Sequence, residues 1–243
     1  MVSKIIFKKI KFYNIDFKRF DNYITRNGLF VFPAGPALAL INKSSNYYQS
    51  IRKADLVFFD SGFFVLLLKV LKNIHVQKFS GYKFLSLFFN YIKKNKKKKI
   101  FCVDPNLNYS RSNKQYFKKL GIKNIQNYIA PLYDPNHLID KKLLTRIKKF
   151  KPHYIIVNIG GGTQEILGLY LREKLKFKTT ILCLGAAISF FTKDQAPINS
   201  LIDQLYLGWF IRLIFNPISF SIKYLYALRL IPMVISSKIK IVH

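Results

Sequence analysis

Short apolar runs alternate with amphipathic segments along most of the chain. The apolar runs are rich in β-branched and aromatic residues and almost continuously hydrophobic, which is typical of strands buried on both faces of a parallel sheet. The predicted strands are, in order, Leu29–Phe32, Leu56–Phe59, Ile100–Val103, Tyr154–Ile159 and Thr180–Leu184. The amphipathic segments predict helices over residues 37–53, 62–72, 82–96, 111–120, 138–149 and 164–175. This alternation predicts an α/β fold with a mostly parallel, doubly wound sheet and helices on both faces.

The last part of the chain follows a different pattern, so we predict an α/β core over residues 1–199 and a helical appendage over residues 200–243. In the appendage, aromatic and basic residues are interleaved at helical spacing, and Pro217 and Pro232 should interrupt the helix. An apolar face opposite a basic face suits a helix that lies in the interface of an anionic membrane. The same pattern suits a helix packed on the sheet with its basic face in solvent, and taken alone it favours this second interpretation.

The charge of the chain indicates a polyanionic partner. Its 243 residues include 41 Lys and Arg against 11 Asp and Glu, a formal net charge of +30. Nucleic acid, an anionic membrane face and phosphorylated substrates all suit such a charge. The abundance of Lys, Ile, Asn, Phe and Tyr is also what A+T-rich codons produce, so the charge alone does not choose among these partners.

Composition excludes several classes of protein. A hydrophobic fraction of 50% and an aromatic fraction of 16% exclude a disordered chain. Two cysteines, Cys102 and Cys183, exclude a disulfide-stapled scaffold and a Cys-rich zinc site. Residues 1–27 show no secretory signal, and the longest uncharged apolar stretch, residues 179–192, is shorter than the about 20 residues of a membrane-spanning helix. We therefore expect a soluble or peripheral protein in the cytoplasm.

Polar and glycine residues follow several predicted strands, where ligands bind in open parallel sheets. Asp60 follows the second strand and could act as a general base or cap the next helix. Gly160–Gly162 follow the fourth strand and could admit a phosphate or form a plain turn. The small residues Gly185–Ala187 follow the fifth strand and allow close approach of a ligand or a helix, and Asp104–Asn106 after the third could be a simple turn.

The pattern of acidic residues predicts no metal site. No two aspartates flank a single residue, which is the spacing many nucleotide-sugar enzymes use to hold a divalent cation. If the ligand is a diphosphate, Lys and Arg side chains and helix N-termini must neutralise it instead.

Five stretches, in order along the chain, resemble segments of the WecG/TagA/CpsF family of bacterial glycosyltransferases. They are Ala54–Gly62, similar to "ADLVLPDG"; Phe79-Ser80-Gly81 after Lys78, similar to "RVSG"; Gly160–Glu165, similar to a Gly-rich loop that ends in Gln-Glu; Gly185–Ala187 with Ala196-Pro197, similar to "GGAF…AP"; and Leu207–Leu213 with Asn216-Pro217, similar to "GLEWLYRL…P". The similarity covers residues 4–224, and the order and intervals of the pieces make it specific.

The resemblance implies an inverting, metal-independent glycosyltransferase with a Rossmann-like α/β core. Members of this family transfer a sugar, often of the N-acetylmannosamine type, from a UDP-sugar to a polyprenyl-diphosphate-linked acceptor. They build wall teichoic acids, common antigens and capsules. The UDP-sugar is a substrate, and no cofactor is implied. In some members a C-terminal appendage docks on the membrane, which shifts the interpretation of residues 200–243 towards docking on an anionic membrane surface at the cytoplasmic face.

The resemblance also implies roles for individual residues. Asp60 stands in the place of the proposed catalytic base, and Lys78 and Arg212 are candidates for neutralising the leaving diphosphate. The residues expected to bind substrate are Lys78, Ser80, Gly81, Gly160, Gly161, Gly162, Gln164, Gly185, Ala186, Ser189, Trp209 and Arg212.

Four departures from the family pattern put donor specificity and activity in question. Ala34 stands where the family has the asparagine of Thr-Pro-Asn, and Lys78 stands where arginine is usual. Asp104-Pro105 replaces a Gly-Gly pair, and Ser189 replaces an aspartate. Two alternatives therefore stay open: a degenerate transferase that binds donor only, and a non-catalytic basic protein at a membrane or on nucleic acid, the latter partner being disfavoured. The donor sugar, the acceptor glycan and any homo-oligomer are not determined by the sequence.

Overall fold

The computed structural model describes residues 3–194, 214 and 217–242 of the chain. Their strands form one mixed sheet. The strands are β1 (Ser3–Phe7), β2 (Ile10–Asn14), β3 (Gly28–Val31), β4 (Leu56–Phe58), β5 (Ile100–Asp104), β6 (Ile125–Ile129), β7 (Tyr154–Val157), β8 (Thr180–Cys183) and β9 (Lys240–Val242).

Helices connect most of these strands. They are α1 (Phe20–Ile24), α2 (Gly35–Leu38), α3 (Ser45–Arg52), α4 (Gly62–Lys72), α5 (Gly81–Lys94), α6 (Leu107–Lys119), α7 (Lys141–Phe150), α8 (Thr163–Lys174), α9 (Ser189–Thr192), α10 (Pro217–Ala227) and α11 (Leu230–Ser236). Short 3₁₀ turns at Phe17–Arg19 and Gly185–Ile188 precede α1 and α9.

The strand order is β6-β5-β7-β8-β3-β4-β2-β1-β9. The strands from β6 to β2 in this order run parallel. β1 runs antiparallel to β2, and β9 runs antiparallel to β1 with Lys4 opposite Val242. The prediction of a mostly parallel α/β sheet with helices on both faces is confirmed.

Two hydrophobic clusters cover the two faces of the sheet, because successive strand residues point to opposite sides. Leu29 and Val31 of β3 belong to the cluster that also contains buried residues of α3, α4, α7 and α8. Phe30 of β3 belongs to the opposite cluster, with Phe58 of β4 and Phe84 of α5. Helices α3, α4, α7 and α8 therefore cover one face of the sheet, and α5 covers the other.

The structure confirms the predicted strands within about two residues at each end and corrects one helix. The segment 37–53 forms two helices, α2 and α3, because Ser44 caps a new helix start and accepts a hydrogen bond from Tyr47 N at 3.3 Å. β1, β2, β6 and β9 were not predicted. These strands carry many polar residues and lie at or near the two edges of the sheet.

The C-terminal part contains the two helices α10 and α11, as the pattern predicts, followed by β9. Pro217 and Pro232 both lie in the first turn of a helix, where proline is tolerated, so the break falls between the helices. Leu230 and Val234 of α11 are fully buried and belong to the same cluster as α4. No helix in the described part of the chain is both long and apolar enough to span a bilayer.

Asp55, at the amino end of β4, connects β3, β4 and α8 by hydrogen bonds. It therefore lies at the opposite edge of the sheet from the carboxyl ends of the parallel strands. Its carboxylate accepts hydrogen bonds from Leu29 N of β3 at 2.7 Å and from Arg172 Nη2 of α8 at 2.8 Å. Burial raises the pKa of Asp55, but the hydrogen bonds from Arg172 and Leu29 outweigh it and hold the pKa below its usual range. This aspartate, part of the family-like stretch, therefore has a structural role.

We predict that Asp55→Asn lowers the free energy of unfolding by about 1–2 kcal/mol, since a hydrogen-bonded charge pair is lost at a partly exposed position. Because the pKa is lowered in the folded state, this contribution is present above the unfolded pKa and is lost as the pH falls through the folded one. Urea unfolding measures the change. Glu173→Gln, in the exposed pair with Lys53, is the matched control and should change stability by less than about 0.5 kcal/mol.

Candidate active site

The carboxyl ends of β3 and β8 lie side by side, and the chain leaves them towards opposite faces of the sheet. After β3 it enters α2, whose Leu38 packs in the first cluster, and after β8 it enters the 3₁₀ turn, whose Ile188 packs in the second. Such a switch in direction opens a crevice, and ligands bind there in open α/β sheets. The loops after β4 and β7 flank the same edge.

Asp60 lies in the loop after β4 and is half-buried. Its Oδ1 accepts a hydrogen bond from Gly81 N, the first residue of α5, at 2.8 Å. The N-terminus of this 14-residue helix favours the charged carboxylate. The next helix, α4, is capped by Ser61 instead, which accepts a hydrogen bond from Phe64 N at 3.1 Å. The capping alternative therefore belongs to Ser61, and Asp60 lies on the rim.

Ser80 and Gly81 fix the start of α5 against this rim. Ser80 is buried and its hydroxyl accepts a hydrogen bond from Lys83 N at 3.1 Å. A Cβ at Gly81 would lie 3.1 Å from that of Ala187, so glycine allows α5 to approach the turn after β8. Lys78 is half-buried in the extended segment just before. Gly81 N thus holds the carboxylate of Asp60. Lys78 is a basic residue that closely precedes this helix start in the sequence.

The glycine loop after β7 combines an open residue with a strained one. Gly160 is exposed, and a Cβ there would meet nothing within 4 Å. Gly161 is exposed as well, with room for a Cβ at 3.4 Å from Ala37. Gly162 has φ +98°, which side-chain-bearing residues rarely adopt, and forms the N-cap of α8. The loop thus exposes backbone at its start and makes its sharp turn at its end.

Gln164 links the loops after β7 and β8. It is buried, and its Oε1 accepts a hydrogen bond from Gly185 N at 2.6 Å. Its Nε2 donates to Glu165 Oε1 at 3.0 Å, and Glu165 Oε2 accepts from Gly162 N at 2.7 Å. Gly185 has φ +57°, so its role here is to form the turn that presents this N–H. The two loops are therefore held by one amide and one carboxylate.

Sequence reasoning did not assign a role to Glu165. Its side chain is fully buried, and burial above all raises its pKa to about 7; the negative charge of Asp60 adds to the shift. A glutamate three residues after the N-cap is the second half of a capping box, and this spacing is present in the sequence, although Gly162 has no side chain to form the first half. The burial of Glu165 depends on α3 and could not be read from the pattern.

The model of the glycosyl transferase WecG/TagA/CpsF family matches residues 6–241 of the 243. The chain belongs to this family. It is therefore a glycosyltransferase, of a family that serves cell-surface polysaccharide synthesis. A search of curated proteins finds no match.

The remaining residues expected to bind substrate in this transferase lie around the same strand ends or outside the described residues. Ala186 is half-buried in the turn after β8, and Ser189, at the start of α9, is buried. Trp209 and Arg212, with the family-like pieces at 196–197 and 207–213, lie outside the described residues. In residues 3–194, 214 and 217–242, no group of three or more His, Cys, Asp or Glu side chains could hold a metal ion.

Asp104, one of the departures from the family pattern, is the last residue of β5 and is fully buried. Its carboxylate accepts hydrogen bonds from Asn113 at 2.7 Å, Asn127 at 2.6 Å and Asn158 at 2.8 Å. Burial raises its pKa although these bonds oppose the shift. The aspartate that replaces glycine in this transferase thus connects the end of β5 to α6, to the middle of β6 and to the residue after β7. The turn after it starts at Asn106, which caps α6.

Alanine substitution at Gly160 and at Gly162 should have different effects on the free energy of unfolding. Gly162→Ala should lower the free energy of unfolding by about 1–3 kcal/mol, because alanine is strained at a positive φ. Gly160→Ala, the matched control, should change it by less than about 0.5 kcal/mol, since its Cβ would face open space. Urea unfolding of the two variants checks this. Equal losses would contradict the distinction between an open and a strained glycine.

Proposed function

We propose that this transferase moves a sugar from a UDP donor to a polyprenyl-diphosphate-linked acceptor, with inversion and without a metal. Family membership supports a sugar transfer in general terms, through a sugar-nucleotide donor and a lipid-linked acceptor. The observation that carries the finer proposal is the Asp60 carboxylate on the rim of the sheet, held by Gly81 N near the N-terminus of α5. The open backbone of Gly160 and Gly161 supports a diphosphate site at the same edge.

In the proposed reaction Asp60 accepts the proton of the acceptor hydroxyl as that oxygen attacks C1 of the donor sugar. The new glycosidic bond forms on one side of C1 while the bond from C1 to the phosphate oxygen breaks on the other, which inverts the centre. The electron pair of the broken bond leaves with UDP. Lys78 and the N–H groups of the glycine loop, with Arg212, would stabilise the charge on the leaving diphosphate.

Asp60→Asn should lower turnover by about 10²–10⁴-fold and change donor affinity little, because asparagine keeps an acceptor for Gly81 N but cannot take the proton. Mass spectrometry of the glycolipid product, with a panel of UDP-sugars and lipid-linked acceptors, measures turnover. Asp55→Asn is the matched control, five residues away at the opposite end of β4, and should retain turnover below its unfolding temperature. Unchanged turnover in Asp60→Asn would remove this residue from the mechanism.

The same panel separates the active transferase from a degenerate one. A degenerate protein would bind a UDP-sugar and give no product with any acceptor in the wild type. The non-catalytic nucleic-acid-binding alternative is not favoured, because membership of a glycosyltransferase family supplies a function for the residues at the strand ends.

We also propose that α10 docks the transferase on an anionic membrane at the cytoplasmic face. Ile218, Ile222 and Leu225 lie at helical spacing and expose 81%, 70% and 66% of their surface. They form an apolar stripe on α10 that the described residues do not cover, and Ile214 is exposed as well. Such a stripe on a strongly basic protein suits the interface of an anionic bilayer.

The position of α10 supports a link between docking and catalysis. A Cβ added to Gly35, in the first turn of α2, would lie 3.8 Å from Ala227 Cβ of α10 and 3.0 Å from Ser61 Oγ. Ser61 follows Asp60 directly. The end of α10 therefore lies close to the rim that carries the proposed base, which would bring a membrane-bound acceptor near it.

Replacing Ile218, Ile222 and Leu225 together by Gln should reduce binding to anionic liposomes by about 10³-fold or more, because about 1.5–3 kcal/mol is lost for each buried apolar side chain and about 1.4 kcal/mol corresponds to tenfold. Liposome co-sedimentation measures the loss. The control replaces the exposed Leu132 and Ile139, which lie between β6 and α7, by Gln. Undiminished binding of the α10 variant, or an equal loss in the control, would contradict docking through α10.

A further inference from the structure

The carboxylate of Glu165 holds the glycine loop and Gln164 through both of its oxygens. Oε2 accepts from Gly162 N at 2.7 Å and Oε1 accepts from Gln164 Nε2 at 3.0 Å. Through the Gln164 amide the arrangement extends to Gly185 N at 2.6 Å. Both oxygens accept from N–H donors, and the ionised carboxylate is the stronger acceptor for both bonds. A proton on either oxygen would weaken the hydrogen bond that this oxygen accepts.

We propose that Glu165 is a proton-linked positioning residue for the donor. Ionised, it holds the glycine loop and Gln164 in the free protein; it takes up one proton from solvent when the donor diphosphate binds at the loop, and the loop is then released towards the ligand. This inference rests on the proposed donor site at Gly160–Gly162. The chemical class recognised is a diphosphate ester, and no covalent bond changes in the step.

The charges around Glu165 favour this uptake. Asp60 is the charged neighbour that raises the pKa of Glu165, and none of the described groups that shift this pKa is a cation. The other titratable neighbours are Tyr47 and Cys183, whose pKa values are raised by burial and then by the charge of Glu165. The negative charges of a diphosphate would disfavour the ionised Glu165 further.

Proton uptake can be counted by isothermal titration calorimetry of the full chain with UDP-N-acetylglucosamine, whose diphosphate does not titrate near pH 8. Titrations in two buffers of different ionisation enthalpy give the number of protons. Because the pKa of free Glu165 is about 7, we expect an uptake of about one half to one proton at pH 8 and close to none at pH 5.5. Donor affinity should fall by up to about tenfold per pH unit above 7.

The variants assign the proton to a residue. Glu165→Gln, which imitates the protonated form, should show no uptake and an affinity independent of pH, whereas Asp60→Asn should retain the uptake. Uptake that persists in Glu165→Gln, or disappears in Asp60→Asn alone, would overturn the inference. Donor binding without uptake would overturn it and leave the donor site standing. Absence of binding by UDP-sugars of several kinds would instead overturn the proposed function itself.

A measurement on the wild type avoids any dependence on the folding of a variant. The chain contains two glutamates, Glu165 and the exposed Glu173. Selective ¹³C labelling of the glutamate carboxyl groups therefore gives two NMR signals, with Glu173 as the internal reference. We expect the Glu165 signal to titrate near pH 7 in the free protein and to shift to higher pH when UDP-N-acetylglucosamine is bound. An unchanged midpoint in the complex would refute the proposal.

Discussion

The hydrogen bond from Gly81 N to the Asp60 carboxylate sets the geometry of the whole rim. It joins the loop between β4 and α4 to the first turn of α5, although α4 and α5 cover opposite faces of the sheet. Gly81 also lets α5 approach the turn after β8, since there is no side chain between it and Ala187. Gly81 thus orients the carboxylate through its N–H and, because it has no side chain, allows α5 to lie close to the turn after β8.

Acidic residues are few in this chain, and those at strand ends have defined partners. Of 11 Asp and Glu, Asp104 accepts three asparagine amides, Glu165 accepts a backbone N–H and an amide, and Asp60 accepts a helix N–H. With 41 Lys and Arg against 11 Asp and Glu, the chain contains many more basic side chains than carboxylates. Asp104 and Glu165 are nevertheless held by neutral amide and backbone N–H donors.

Much of the fold and part of the site could be predicted from the sequence. Strands buried on both faces give continuous apolar runs, so β3, β4, β5, β7 and β8 were found. β6 has the sequence IQNYI, of which only Ile125 and Tyr128 are buried, and lies at an edge. The β1–β2 hairpin is interrupted by lysines, so neither gives such a run. Asp60 and the glycine loop could be located because they directly follow strands that the sequence pattern predicts, and ligands bind at the carboxyl ends of such strands. The burial of Glu165 and the amide cluster around Asp104 arise from residues far apart in sequence, and no local pattern reveals them.

The pairing of β9 with β1 has a consequence for any shortened form of the chain. β9 covers the outer edge of β1 with Ile5 opposite Ile241 and Lys4 opposite Val242. Without it, the backbone groups along the outer edge of β1 would face solvent unpaired, and exposed strand edges of this kind promote self-association. A chain cut before Pro217 would also lose the buried Leu230 and Val234. Precipitation of such a fragment would reflect an uncovered sheet, and it would reveal nothing about attachment to lipid.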